Sequence, residues 1–333
     1  MLVLTLLVRD EADIVEANVA FHLNAGVDFV IATDHRSEDG SREILERFER
    51  EGVVRLIRED GPGFDSQQLR TRMARMAAAE YGAHWVIGAD ADEFFWPHGG
   101  SLPEVLAAVP PRFGVVSAAW EVFVARTGGA GFFAERMTAR LSPGAWLSHP
   151  RSSFKPDVKI AHRGSRTVVV QGGNHRLLSA GLEPAPWSPM EVLHFPIRSV
   201  AQLERKMAHW SGAGRKWVAS QAGVENAREW FESVVVADEV VARGVERGSL
   251  VVDTRLRDVL RSLHSDGEDA RFLLPRGGGA IEFGPGFGAN EGSYRGTLAC
   301  LGDRRLHQLQ RRLDDLAAHI TRLESTEVAE SVG

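Results

Sequence analysis

Apolar positions in the first hundred residues follow two alternating rhythms. Leu2–Val8, Val27–Thr33, Val53–Ile57 and Trp85–Ala89 are short, mostly apolar and rich in β-branched residues, the pattern of strands covered on both faces. Between them, Asp13–Asn24, Asp39–Glu51 and Asp65–Tyr81 carry apolar residues at helical spacing, such as Ile14, Ala17 and Phe21, or Ile44, Leu45 and Phe48. Strand, helix, strand repeated three times predicts an α/β fold: a mostly parallel sheet, wound in right-handed crossovers and flanked by helices. Ligands of such sheets sit beyond the carboxyl ends of the strands, so chemistry is expected just after each apolar run.

Beyond Pro97 the texture changes. Val115–Ala125 and Arg166–Gln171 read as strands in a loop-rich region, which makes residues 1–198 one domain with halves 1–97 and 98–198. Ser199–Trp210, Asn226–Arg243 and Asp253–His264 have helical period and form a helical C-terminal extension, 199–275. A glycine-rich stretch over 276–302 reads as a flexible loop or lid. Leu306, Leu309, Leu313, Leu316, Ile320 and Leu323 alternate spacings of three and four, a heptad seam in a helix over 303–325. Its flanks offer no complementary charge pairs. The stripe is expected to be buried, in a homodimer through residues 306–323 or on the protein's own body.

Composition narrows the function classes. The 333 residues hold 44% hydrophobic and 25% charged side chains, inside the globular range. With 39 basic and 45 acidic residues the net charge is −6, without the basic surplus that neutralises nucleic-acid phosphates. The single cysteine, Cys300, makes neither an internal disulfide nor a zinc cage and points to a reducing compartment. The Leu2–Val8 run is too short and wrongly flanked for a signal or a span, and no other stretch reaches membrane length. A cytoplasmic location is expected.

Three polar segments fall where the sheet rule places chemistry: Arg9-Asp10-Glu11 after the first strand, Thr33 to Gly40 after the second, and Asp90-Ala91-Asp92-Glu93-Phe94 after the fourth. Asp90 and Asp92, two apart in an extended segment, point the same way. Paired carboxylates suit magnesium or manganese, which takes one or two of them with phosphate oxygens and water. Asp34 at its strand end is placed to accept hydrogen bonds from a base or ribose, while Asp39 is a candidate N-cap for the next helix. Arg9 and Glu11 fit either a ligand or a surface ion pair. His175 and His194 are candidate further metal ligands or phosphate donors, and Arg72, Lys159 and Arg198 are candidate cations for a diphosphate.

In combination, Leu6 to Ile14, Thr33-Asp34 with Ser37, Asp39 and Gly40, and Trp85 to Phe94 resemble the family 2 glycosyltransferases of the GT-A fold. The similar branch is bacterial, with an Arg-Asp-Glu turn and an Asp-Ala-Asp-Glu-Phe motif. Gly173-Asn174-His175, Leu193 to Ser199 and Lys206 resemble it as well. The resemblance implies transfer of a sugar, with inversion, from a nucleotide-diphosphate-sugar donor to an acceptor hydroxyl. It places the nucleotide at Arg9, Glu11, Thr33, Asp34, Ser37, Arg72 and Asp90, and a divalent metal (Mn2+ or Mg2+) at Asp90 and Asp92 with His175 and His194. The Glu-Asp pair that supplies the catalytic base in many such enzymes is absent, which leaves Glu191 and Asp157 as candidates.

Other classes fit less well. A phosphotransferase or phosphatase of the haloacid dehalogenase type would carry its aspartates after the first strand, and a nucleotidyltransferase would have a glycine-rich phosphate loop where Arg9-Asp10-Glu11 stands. A non-catalytic scaffold that binds nucleotide and pairs through its heptads is a third alternative.

Overall fold

The computed structural model describes residues 1–61, 63, 65–126, 131–142, 157–178, 181–212, 237–265 and 281–282. The chain divides into two compact units, Met1–Phe287 and Gly288–Gly333. The second lies outside the described residues, as do the heptad helix and most of the glycine-rich stretch.

The expected winding is present. Strands β1 (Leu2–Val8), β2 (Phe29–Asp34), β3 (Val54–Arg58) and β4 (Trp85–Asp90) alternate with helices α1 (Val15–Asn24), α2 (Ser41–Arg50) and α3 (Ser66–Ala79). The four strands pair in parallel in the order β3-β2-β1-β4. Val3, Leu4, Leu6 and Val8 of β1 are buried on both faces, which is why that run reads as continuous rather than alternating. The Asp65 side chain caps α3, accepting from the Gln68 N–H at 3.0 Å.

The second half joins the same sheet. After β5 (Glu93–Pro97) and α4 (Leu102–Ala107) come β6 (Phe113–Val122), α5 (Phe133–Arg136), β7 (Ala139–Leu141), β8 (Val158–Arg163), β9 (Glu183–Pro184) and β10 (Met190–His194). The main path runs β3-β2-β1-β4-β8-β6-β10-β5, with β9 paired to β6. Only Ala91 and Asp92 separate β4 from β5 in sequence, a link of about 11 Å at most. Four strand spacings separate them in the sheet, about 19 Å if flat. The sheet therefore curls back on itself, and the curl gathers the ends of β4, β5, β8 and β10.

Helices α6 (Val200–Gly212), α7 (Asp238–Glu246) and α8 (Arg255–Ser265) follow, with β11 (Leu250–Asp253) and β12 (Ile281–Glu282). β11 pairs antiparallel with both β7 and β12 in a second, three-stranded sheet. Val122, Val124, Ile197, Leu203, Met207, Val241 and Leu250 form one buried cluster that fastens α6 and α7 to the end of β6.

Two sequence expectations need correction. Arg166–Gln171 is not a strand and contributes only an isolated bridge from Val170 to Leu177. Its backbone is satisfied by side chains of α3: Arg75 Nε donates to the Val168 carbonyl at 2.8 Å, and Thr71 Oγ1 accepts from Val170 N at 3.0 Å. The N-cap of α2 is Gly40, at φ +97°, rather than Asp39. Asp39 instead accepts from Ser41 N at 3.1 Å and from Ala12 N at 3.0 Å.

Candidate functional site

The loops that leave β1 and β2 are sewn together by side chains. Asp10 N donates to Ser37 Oγ (3.0 Å), Glu11 N to Ser41 Oγ (2.8 Å) and Glu38 N to Asp10 Oδ1 (2.7 Å). Asp10 itself sits at φ +54°, a left-handed turn that asparagine and aspartate tolerate best among side chains with a Cβ. Ser37, expected at the nucleotide, thus builds the loop. Arg9 Nη1 lies 3.3 Å from His35 Nδ1. Thr33 and Asp34 are buried at the end of β2. Asp34 Oδ2 accepts from Arg42 Nε at 2.7 Å, while Oδ1 is buried without a hydrogen-bond partner.

Helix α1 fixes the turn between β4 and β5. Asn18 Nδ2 donates to the carbonyls of Ala91 (3.0 Å) and Glu93 (2.8 Å). Phe95 N donates to His22 Nε2 at 3.1 Å, so the His22 proton resides on Nδ1, which donates to the Asn18 carbonyl at 2.8 Å. Burial pulls the His22 pKa down to about 4, which keeps the ring neutral and this arrangement intact. Both residues were missed in the sequence reading; their signal is polarity on the buried side of an otherwise apolar helix.

The carboxylates of this turn meet a matching set of cations. Asp90 accepts from Arg70 Nη2 at 2.5 Å and from Lys159 Nζ at 2.8 Å. Lys159 also lies 2.9 Å from Glu93 Oε1 and donates to the Gly173 carbonyl at 2.6 Å. Lys206, on α6, donates to Asp92 Oδ2 at 2.8 Å. Arg198 Nη1 stands 4.0 Å from the same carboxylate. Burial raises the Asp92 carboxyl, but Lys206, His194 and Arg198 outweigh it and hold it well below the usual range. Burial pushes Glu93 up to about 8 against the pull of Lys159.

A glycine makes room for part of this cluster. A Cβ on Gly88 of β4 would lie 2.6 Å from the Asn174 side chain. The bare backbone therefore lets the 173–175 turn approach β4 and deliver the Gly173 carbonyl to Lys159.

An aromatic wall borders the cluster. The Trp120 ring packs on His194 at 4.2 Å between centroids, on His175 at 5.6 Å, and beneath Lys159 Nζ at 5.5 Å. His175 Nδ1 is 2.9 Å from the Val158 carbonyl and 3.2 Å from Asp157 Oδ1. Asp157, half exposed, therefore stands at the same edge of the sheet. Trp120 was not singled out in the sequence, although its alternation with Ala118 and Val122 places it on the His194 side of β6.

Two expected residues lie elsewhere. Glu191 shares a ladder row with Ala119, and His194 with Val122, so the two point to opposite faces of the sheet. Glu191 is sealed beneath Arg255, whose Nη1 donates to Oε1 at 2.6 Å, in a buried chain that continues through Asp253 and Arg140 to Glu121. Burial raises its carboxyl, and Arg255, His98 and Arg140 more than reverse that. The geometry removes Glu191 as a base for this site. Arg72 is exposed and faces Glu59 at 3.9 Å; Arg70, two residues earlier, is the cation that α3 delivers.

Among the described residues, Asp92, Glu93 and His194 bring donor atoms within 4.8 Å of one another, as a metal site would require. Their surroundings do not fit a divalent ion. Asp90, Asp92 and Glu93 are each in contact with a lysine ammonium, where a hard cation would need the same oxygens at about 2.0–2.2 Å. A dication about 4 Å from an ammonium is repelled by roughly 8 kcal/mol at an effective dielectric constant near 20. Of the residues expected to hold manganese or magnesium, Asp92 and His194 fall in this cluster with Glu93, whereas Asp90 is paired with Arg70 and Lys159 and His175 with the Val158 carbonyl and Asp157.

No helix among the described residues is long and apolar enough to cross a membrane. No protein-family model and no curated protein matches the chain. Among solved structures it is similar to S. aureus TarS: at 12% identity and a TM-score of 0.35 to residues 1–349 in complex with UDP-GlcNAc, covering 88% of this chain and 97% of that one. The longer TarS structure matches at 12% identity and a TM-score of 0.33, covering 81% of this chain and 54% of that one, so this chain spans about half its length. A likeness of this size assigns neither activity nor ligand.

Proposed function

We propose that the protein is a glycosyltransferase that moves a sugar from a nucleotide-diphosphate-sugar donor to an acceptor hydroxyl, with inversion. The observation that carries this reading is a convergence at the carboxyl edge of the sheet. There a buried carboxylate with one unpartnered oxygen, Asp34, shares an edge with the Asp90–Glu93 turn and its cations. The first suits a base or ribose N–H or O–H; the second suits a diphosphate.

In this reading Arg9, Glu11 and Asp34 hold the nucleoside. Lys206, oriented by Asp92, faces the diphosphate, with Arg70 and Lys159 paired to Asp90 behind it, and Trp120 offers its ring to the sugar. Asp157 takes the proton of the acceptor hydroxyl as its oxygen bonds to the anomeric carbon. The bond from that carbon to the diphosphate breaks, with the electron pair leaving on the diphosphate oxygen. Charge grows on the leaving group in an oxocarbenium-like transition state, as in glycoside hydrolysis, and fixed N–H donors stabilise it there. TarS, similar only in overall fold, is itself known in complexes with UDP and UDP-GlcNAc.

Thermal unfolding of the full chain with a panel of nucleotide sugars tests the binding half of this proposal. A ligand of the native state raises the transition by an amount that grows with the logarithm of its concentration relative to Kd. At least one nucleotide sugar is expected to do so while the matching free sugar does not; no shift with any nucleotide would refute the reading.

A further inference from the structure

The cations around Asp90 and Asp92 carry a consequence for cofactor use. We propose that this site handles the diphosphate without a divalent ion, with Lys206 standing in the ion's place and Lys159 behind it as a fixed counter-charge. The inference rests on the glycosyltransferase reading and adds to it the means by which leaving-group charge is met.

The two lysines have different roles. An ammonium has three donors, and Lys159 directs its contacts to Asp90 at 2.8 Å, Glu93 at 2.9 Å and the Gly173 carbonyl at 2.6 Å. Hydrogen-bonded to Asp90 and Gly173, in ionic contact with Glu93 and buried, it is a rigid part of the floor. Lys206 comes from a different element, α6, and reaches Asp92 Oδ2 at 2.8 Å with a quarter of its side chain exposed. It is thus a charge at the solvent side of the turn, held against one oxygen of the Asp92 carboxylate.

Asp92 acts here as the anchor of an ammonium. His194 Nε2 at 3.7 Å and Arg198 Nη1 at 4.0 Å also flank the carboxylate and help hold it in place. A donor phosphate entering beside Asp90, whose side chain is 31% exposed, meets Lys206 without any ion having to displace it. As the glycosidic oxygen departs with its electron pair, the new negative charge falls beside this ammonium, and the acceptor's proton goes to Asp157. No metal enters the balance.

The test is calorimetric titration of the full chain with UDP, GDP, ADP and dTDP, in excess chelator and again in excess manganese. The nucleotide that binds is expected to do so with affinities that agree within about twofold in the two conditions, and Lys206→Met is expected to weaken it at least about tenfold in chelator. Binding at least about tenfold tighter with manganese overturns the inference and leaves the glycosyltransferase reading standing. Lys206→Met binding like the parent overturns it too. Absence of binding in both conditions overturns both proposals. If Lys206→Met lacks a cooperative melt, the comparison between chelator and manganese on the parent protein decides alone.

Discussion

Arg198 grips Asp13 with two donors, Nε at 2.7 Å from Oδ2 and Nη2 at 2.9 Å from Oδ1, across 185 positions of sequence. Nη2 also donates to Glu11. The guanidinium is fully buried, and its planar fork matches the carboxylate. Burial disfavours its charge, but Glu11, Asp13 and Asp92 together raise its pKa above the ordinary arginine value. The loop after β1 is thereby tied to the segment that leads from β10 into α6, the helix that carries Lys206.

Removing this tie strands carboxylates in a partly buried loop. Arg198→Leu is expected to cost about 3–5 kcal/mol, the scale for breaking a buried pair by deleting one partner, measured by urea unfolding. A loss under about 1 kcal/mol would show that the loop is held by the Ser37, Ser41 and Asp39 bonds alone.

His22 gives a pH-dependent prediction. Its folded pKa, about 4, lies below the ordinary 6.5 because the ring is buried. As pH falls from 6.5 toward 4 the unfolded chain takes up a proton that the folded chain refuses, so stability drops by up to about 1.4 kcal/mol per pH unit. The stability is fully present above 6.5. In His22→Gln this contribution disappears, so the gap between parent and variant is expected to shrink as pH falls through that window. A gap independent of pH between 4 and 7 would contradict the neutral, Nδ1-protonated ring.

Asp157 is the half-exposed carboxylate beside Trp120 and His175. Asp157→Asn is expected to lower kcat by about 10²–10⁴, the range for a lost general base, with nucleotide affinity unchanged. Steady-state kinetics and titration of the same variant separate the two. An unchanged kcat would return Asp157 to a purely structural role at the start of β8.

Which parts of this site the sequence could announce depends on how local the information is. The strands β1 to β4 and the motifs at their ends follow from periodicity within about ten residues, and Asp34, Asp90 and Asp92 share one edge as the parallel winding requires. Side-chain parity was also present. Glu191 and His194, three apart in a strand, had to face opposite ways, and Arg70 lies beside Leu69, Met73 and Ala74 on the buried face of α3, whereas Arg72 does not. The pairing of β5 with β10 and the approach of Lys206 to Asp92 across 114 positions are long-range. They depend on the curl of the sheet and the docking of α6, which no local pattern encodes. The spacing of Asp90 and Asp92 is visible in the sequence in the same way, and their pairing with the Lys159 and Lys206 ammonium groups is not.

The central claim is that the edge carrying Asp34 and Asp92 activates a nucleotide sugar. Its most direct test is release of nucleoside diphosphate from a panel of nucleotide sugars, followed by mass spectrometry for the parent, Asp34→Asn and Asp92→Asn. Release is expected from at least one donor, reduced by about 10²-fold in Asp92→Asn, the scale for misplacing a group that meets the reacting centre, because the Asp92 carboxylate anchors Lys206. In Asp34→Asn the deficit is expected to appear chiefly in KM. Release that persists at the parental rate in both variants, or is absent for every donor in the parent, would contradict it.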